Sequence, residues 1–202
     1  MILKQTIQTL STVVLLCVIG FNLSCKSANT MSEAEASEQL AELETLLHDN
    51  AFRVDIKTVY PFNTAATNDV LNSILIPGTS NSASWIDVAN DGHFIEFSTT
   101  ATKGDLPFFG EQRISGGYNI GNDNNIQFDG APIDYSISKH KKKSVLEIAY
   151  DVNDSRVSTE TYEIQFLVYP NKTVHVFITS TLKTVIHYRG TLQFTDTTEP
   201  ES

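Results

Sequence analysis

The fold is decided by residues 146–180, LEIAYDVNDSRVSTETYEIQFLVYPNKTVHVFITS. Apolar side chains occupy every second position in two runs of this stretch, and polar ones occupy the positions between them. The apolar positions are Leu146, Ile148, Tyr150, Val152 and then Tyr162, Ile164, Phe166, Val168. Alternation with a period of two indicates strands with one face in the core and one in solvent. Turn residues separate the runs at 153–155 and 170–171, which predicts consecutive antiparallel strands.

The same alternation continues on both sides of this stretch. Further strands are predicted over 52–60, 133–137, 173–180 and 184–194, and the segments 85–89 and 93–99 flank a hairpin signal at Asn90-Asp91-Gly92. No segment of helical period appears after residue 80. Many short strands with turns between them predict a mainly β protein, an antiparallel meander closed as a barrel or folded as a sandwich.

A single helix is predicted ahead of the strands. Ser32 and Glu35 have the spacing of a capping box, and three leucines follow at helical spacing at positions 40, 43 and 47. We therefore expect an amphipathic helix over about residues 32–48. The later segment Val70–Ile76 is compatible with either a strand or a short helix.

The N-terminus has the organisation of an export signal. Lys4 supplies a short basic region, and residues 13–21 (VVLLCVIGF) are an apolar run too short to span a bilayer. We predict a signal peptide over 1–24 and a tether over 25–31. A single domain over 32–195 and a disordered tail over 196–202 would follow.

The two cysteines indicate how this signal is processed. Cys17 lies within the apolar run and would leave with the signal, so the mature chain would keep Cys25 alone and form no internal disulfide. Ser24 followed by Cys25 resembles the lipobox of bacterial lipoproteins, although Asn22 stands where an aliphatic residue is usual. The resemblance implies acylation of Cys25 with fatty acids such as palmitate. A cleaved signal that leaves a free cysteine, or an uncleaved anchor, are the alternatives.

The charge of the chain argues against nucleic acid as a partner. The chain has 24 acidic residues against 14 Lys and Arg, for a formal net charge of −10. Such a protein repels phosphate backbones.

Leu106-Pro107-Phe108-Phe109-Gly110 is the most distinctive local motif. Proline fixes φ and glycine permits a tight turn, so the segment predicts a rigid corner with two adjacent rings. Phe108 and Phe109, together with Tyr118, are the candidate surface for a ligand or partner. The alternative is a corner that plugs the barrel.

No motif indicates catalysis, a metal or a cofactor. Neither a Gly-x-Ser-x-Gly elbow nor a complete calcium loop is present, and the carboxylates of Glu160 and Glu163 are predicted to face solvent. His175 and His187 lie on neighbouring predicted strands, but they lack the spacing of a zinc site. We therefore expect a protein that is not an enzyme.

Four segments in order resemble domain-of-unknown-function family 4251, a family of small exported proteins of Bacteroidetes. They are residues 106–110 (LPFFG), 126–130 (IQFDG), the lysine-rich turn 139–143 and 186–190 (IHYRG). Phe108 stands where the family commonly has tyrosine. The resemblance implies a lipocalin- or calycin-like barrel in the cell envelope, and it implies no activity because the family has none assigned.

The expected function is therefore that of a cell-envelope lipoprotein that binds without catalysis. A small apolar or amphipathic ligand would occupy the barrel interior or the mouth near Phe108, Phe109 and Tyr118. The alternative is a solid barrel that docks an envelope protein. The expected location is the outer membrane, with a lipid anchor and the domain facing the periplasm; the cell surface is the alternative.

Overall fold

The computed structural model describes residues 32–61, 82, 84–111, 125–140 and 144–195. Several predictions fall outside these residues. They concern the signal peptide, Cys25, the tether, Val70–Ile76, Tyr118, the lysines at 141–143 and the tail.

Among these described residues, one helix precedes ten strands. The helix is α1 (Glu33–Asp49). The strands are β1 (Phe52–Tyr60), β2 (Ile86–Asp87), β3 (Phe94–Phe97), β4 (Thr102–Leu106), β5 (Ile126–Gly130), β6 (Ile133–Lys139), β7 (Leu146–Asn153), β8 (Thr161–Val168), β9 (Thr173–Ser180) and β10 (Ile186–Phe194). The predicted helix and the predicted strands of the second half are confirmed within a few residues.

The strands form one antiparallel sheet that curls into a half-barrel. Its order is β5-β4-β3-β1-β10-β9-β8-β7-β6, and β2 pairs with β1. The prediction of a mainly β protein with an N-terminal helix is confirmed. The edge strands β5 and β6 are not neighbours in this order. Instead, the loop between β7 and β8 reaches β5, where the Ser155 amide donates to the carbonyl oxygen of Gln127 at 2.9 Å.

Aromatic side chains fill the space inside the curl. The Phe97 and Tyr150 ring centroids are 4.9 Å apart, and the Phe52 ring lies 5.1 Å from Phe97 and 5.9 Å from Phe166. The Tyr150 hydroxyl, buried with them, shares a hydrogen bond of 2.8 Å with Thr102 Oγ1. Each such ring pair stabilises the fold by about 0.5–1.5 kcal/mol in addition to the stabilisation that comes from burying its apolar area. These ring contacts therefore connect β1 and β3 with β7 and β8 across the curl.

The helix contributes to the same core through one face. Leu40, Leu43 and Leu47 are buried in the core cluster, as their spacing predicts. The capping box is present, because the Ser32 amide donates to Glu35 Oε2 at 3.0 Å and the Glu35 amide donates to Ser32 Oγ at 3.3 Å.

The strand β6 departs from the predicted alternation. Ile133 is 43% exposed, although the pattern placed it in the core with Tyr135 and Ile137. Asp134 has a φ of 53°, and the register with β7 shifts between Ile133 and Ser136. This β-bulge turns the side chain of Ile133 away from the core.

The antiparallel registers place the strand ends in two groups. The helix end is where β1 begins, near Phe52, Phe97, Thr102, Gly130 and Phe194. The corner end is the opposite one, and it includes the LPFFG corner after β4. The strand termini there are Tyr60, Leu106, Ile126, Ser180 and Ile186.

Candidate functional site

The LPFFG corner is attached to the connection between β9 and β10. The Tyr188 hydroxyl donates to the carbonyl oxygen of Pro107 at 2.9 Å. The Glu111 amide donates to Thr184 Oγ1 at 3.1 Å, and the Thr184 amide donates to the carbonyl oxygen of Glu111 at 2.9 Å. These three bonds join segments that are more than 70 positions apart in the sequence.

The two rings of the corner lie in different surroundings. Phe108 is only 8% exposed and belongs to the core cluster, whereas Phe109 is half-buried and packs against that cluster. Gly110 is required beside them, because an added Cβ would lie 2.6 Å from both Phe108 Cζ and Thr184 Oγ1. The structure thus brings Phe108 and Phe109 to the corner end, with Phe108 filling it. Tyr118 lies outside the described residues.

A buried ion pair lies at this end. Lys183 Nζ donates to both carboxylate oxygens of Glu160, at 2.7 and 2.6 Å, while Glu160 is 1% and Lys183 5% exposed. The Ser180 hydroxyl also donates to Glu160. Lys183 Nζ lies 6.0 Å from the Phe108 ring centroid, which connects the ion pair to the corner.

Tyr162 and Asp154 extend the ion pair into a network. Lys183 Nζ donates to the Tyr162 hydroxyl at 3.3 Å, and that hydroxyl donates to Asp154 Oδ2. Asp154 Oδ1 accepts from the amides of Arg156 and Val157, at 2.6 and 2.7 Å. Burial, followed by the bond to Asp154, raises the pKa of Tyr162 well above its usual value. The phenol is therefore a permanent donor.

The solvent-facing position predicted for Glu160 is wrong. Glu163 is exposed as predicted, but Glu160 lies in the loop before β8, where the alternation of the strand does not apply. Its partner Lys183 is 23 positions away and comes close only because β8 and β9 run antiparallel. No local sequence signal marks this pair.

The hydrogen bonds of the network join the loop before β8 to the end of β9 and the segment after it. The Ser180 hydroxyl donates to Glu160 and accepts from the amides of Leu182 and Lys183, so its hydrogen-bonding capacity is in use. The Lys183 side chain is held by both carboxylate oxygens of Glu160. The geometry supports anchoring of loops.

The helix end carries an open groove of about 440 Å³. Its apolar part is formed by two aromatic and two alanine residues, and its polar part by hydroxyl and charged side chains. The lining is Ala51, Phe52, Glu96, Phe97, Ser98, Ala101, Thr102, Lys103, Asp129 and Thr195. Lys103 and Asp129 form an ion pair of 3.1 Å in which both side chains are more than half exposed. Sequence reasoning missed this groove, because its residues come from distant segments.

The outer face of the sheet carries the predicted pair of histidines. His175 Nδ1 and His187 Nε2 are 2.8 Å apart, and the His187 ring stacks on Tyr60 and Phe177 with centroid distances of 4.5 and 4.4 Å. Burial, followed by the neighbouring His175, lowers the pKa of His187 to about 4. His187 is therefore neutral at physiological pH.

Neither a metal site nor a membrane-spanning helix is found among the residues that the structure describes. No group of three or more His, Cys, Asp or Glu side chains is arranged there to hold a metal ion. No helix in this part of the chain combines the length and the apolar character needed to cross a bilayer.

Comparison with known proteins gives a family but no individual relative. Residues 34–192 match the model of a family described as "Domain of unknown function (DUF4251)". No curated protein and no solved structure matches the chain. The match covers the helix and all strands up to Leu192, which includes the LPFFG corner, the buried network and most of the groove lining. The chain therefore belongs to the DUF4251 family.

Proposed function

We propose that this protein is a non-catalytic binding module of the cell envelope, anchored through a lipid on Cys25, that binds a small amphipathic ligand in the helix-end groove. The observation that carries the proposal is the groove itself. Its volume of about 440 Å³ lies within the range of about 300–1,000 Å³ that is typical of small-molecule sites.

The lining of the groove favours an amphipathic ligand. Ala51 and Ala101 provide apolar surface beside the nearly buried rings of Phe52 and Phe97, while Lys103 and Asp129 stand next to them as a surface ion pair. Such exposed pairs contribute only about 0–1 kcal/mol, so either side chain can exchange its partner for a charged or polar group of a ligand.

Ring contacts among the described residues of the interior favour the groove over the inside of the barrel. The large rings of Phe52, Phe97 and Tyr150 are in contact with one another between the two arms of the sheet. At the corner end, Phe108 occupies the position that a ligand would need. We therefore propose the ligand site outside the ring cluster, at the end opposite to the LPFFG corner.

Native mass spectrometry of the protein purified from its own envelope tests both parts of the proposal. We expect the wild type to carry a lipid-sized increment that Cys25→Ala removes. We also expect a non-covalent ligand mass that Ala101→Trp removes by filling the groove. The matched control is Ala89→Trp, which adds the same ring to an exposed turn away from the groove.

The two parts fail separately. A wild type without the covalent increment would contradict the lipid anchor. Absence of a ligand mass, or loss of that mass in Ala89→Trp as well as in Ala101→Trp, would contradict the groove site.

Docking of an envelope protein is the second candidate function. The packed rings inside the curl favour it too, because a protein partner would use the outer surface and the loops. The exposed apolar side chains described next are the specific observation in its favour.

A further inference from the structure

Two loops at the corner end bury their charged side chains, except for the exposed Arg156, and expose their valines. They are residues 154–160 and 181–185, named here the valine loops. In the first, Asp154 and Glu160 are 6% and 1% exposed, whereas Val157 is 41% exposed. In the second, Lys183 is 5% exposed and Val185 is 37% exposed. The Glu160–Lys183 ion pair joins the two loops, so the two valines stand on connected segments.

This arrangement reverses the usual distribution of side chains. Charged residues are normally exposed and valine is among the residues most often buried. Burying the charges and exposing the valines are both unfavourable for the isolated domain. Departures of this kind from local rules concentrate at functional sites. The network therefore presents Val157 and Val185 for contact.

The same end carries the other large exposed apolar side chains. Trp85 directly precedes β2, whose Ile86 pairs with Val59 near the end of β1. Ile133 begins β6 and pairs with Asp151. Within the described ranges 32–61, 82, 84–111, 125–140 and 144–195, the large hydrophobic residues with strong exposure all lie at the corner end. Of these, Val157 and Val185 stand on the two loops that the buried Glu160–Lys183 ion pair joins.

Two carboxylates border the valine loops on the outer face of the sheet, and Arg156, the exposed cation of the first loop, donates to the carbonyl oxygen of Asn125. Asp151 on β7 and Glu163 on β8 are directly opposite each other in the ladder, on the outer face of the sheet. Like charges in this position destabilise a sheet. Neither carboxylate forms an ion pair with a described residue. A partner with basic groups would relieve their repulsion.

We infer that the valine loops, with Asp151 and Glu163 beside them, are the docking surface for a protein whose contact patch is apolar at its centre and carries Lys or Arg at its edge. A lipid bilayer fits this surface less well, because its anionic headgroups would meet these carboxylates on a chain of net charge −10. The inference rests on the docking role named above as the second candidate, and it is independent of the ligand groove.

Photo-crosslinking of the full chain in its own envelope tests the inference. A benzoyl-phenylalanine residue replaces Val157 or Val185, and in the control it replaces Ser138, an exposed position of β6 at the helix end. We expect one protein adduct of discrete mass at both valine positions and none at Ser138. The double variant Asp151→Asn/Glu163→Gln should lower the adduct yield by about tenfold or more, since the carboxylates are expected to pair with the partner's basic groups.

Four results would overturn the inference. Adducts with lipid at Val157 and Val185 would assign the surface to the membrane, and an unchanged yield in the double variant would remove the role of the carboxylates. A protein adduct at Ser138 but not at the valines would preserve a docking role and move it to another surface. No protein adduct at any of the three positions would remove the docking role itself. Because Ala101→Trp is expected to leave the adducts intact, failure of the groove and failure of this surface are distinguishable.

Discussion

The two ends of the half-barrel differ in how deeply their ion pairs are buried. At the corner end, Lys183 and Glu160 pair within the protein and are almost completely buried. At the helix end, Lys103 and Asp129 form a pair of similar chemistry that is more than half exposed beside an open groove. A buried charge cannot be left without its partner, whereas an exposed one is stabilised by water. The buried ion pair at the corner end is therefore expected to stay intact. At the helix end, Lys103 and Asp129 can each exchange the other for a different charged group.

The largest expected difference between the ends comes from breaking each ion pair. Lys183→Met leaves the Glu160 carboxylate buried without its countercharge, so we expect a loss of about 3–5 kcal/mol in the free energy of unfolding. Lys103→Met at the helix end should cost at most about 1 kcal/mol. Urea unfolding followed by circular dichroism measures both values.

A double variant separates the loss of charge balance from the loss of packing. Lys183→Met/Glu160→Gln removes both charges, and it should recover a large part of the stability lost in the single variant. Equal losses in Lys183→Met and Lys103→Met would contradict the distinction between the two ends.

A smaller difference is expected from adding one methyl group at each end. In Gly110→Ala, the new Cβ would lie 2.6 Å from Phe108 Cζ and from Thr184 Oγ1, so the corner must shift at a cost of about 1–3 kcal/mol. In Gly130→Ala, no atom lies within 4 Å of the new Cβ, and the change should stay within about 0.5 kcal/mol. Thermal unfolding of the two variants checks this, and a Gly110→Ala protein as stable as Gly130→Ala would show that the corner is loosely packed.

The smallest effect concerns the outer face next to the corner end. Since the pKa of His187 is lowered to about 4 in the folded protein, the unfolded chain, with an ordinary histidine pKa near 6.5, binds more protons between these values. Stability should therefore fall as the pH drops from about 6.5 to 4, by about 1–2 kcal/mol once solvent screening is allowed for.

Unfolding measured across this pH range tests the assignment to His187. His187→Phe should remove this part of the pH dependence and keep the ring stack with Tyr60 and Phe177. His48→Gln, which changes an exposed histidine of α1, is the control and should keep the dependence. An unchanged profile in His187→Phe would assign the effect to another group.

The strands of the second half were predictable because each depends on a short run of residues, whereas β4 and β5 were not predicted as strands. Tyr162, Ile164 and Phe166 alternate with polar neighbours, and all three are buried. Asn90-Asp91-Gly92 predicted a hairpin, which is wrong, because β2 and β3 both pair with β1 and not with each other. The segment does turn, and Gly92 has a positive φ of 80°. β6 was only partly predictable, because its bulge at Asp134 arises from pairing with β7.

The candidate sites were predictable only where a motif is continuous in sequence. The LPFFG corner could be recognised as rigid, and the structure adds that Phe108 fills the core beside the ion pair of Lys183. The groove could not be predicted, since Ala51, Phe97 and Thr195 come together only through the pairing of β1 with β3 and β10. The exposure of the valines could not be predicted either, because nothing in the local sequence distinguishes Val157 from a valine that is buried in the core.

The sequence by itself determined the antiparallel β class, the helix and most strand boundaries, because backbone conformation and burial period are local properties of the chain. The tertiary structure alone decided that Glu160 pairs with Lys183 and that Asp154, Glu160 and Lys183 are buried while Val157 and Val185 are exposed. It also decided that a groove opens at the end opposite to the LPFFG corner. The physical reason is that burial and charge pairing depend on residues brought together by strand order, and strand order is a property of the whole sheet.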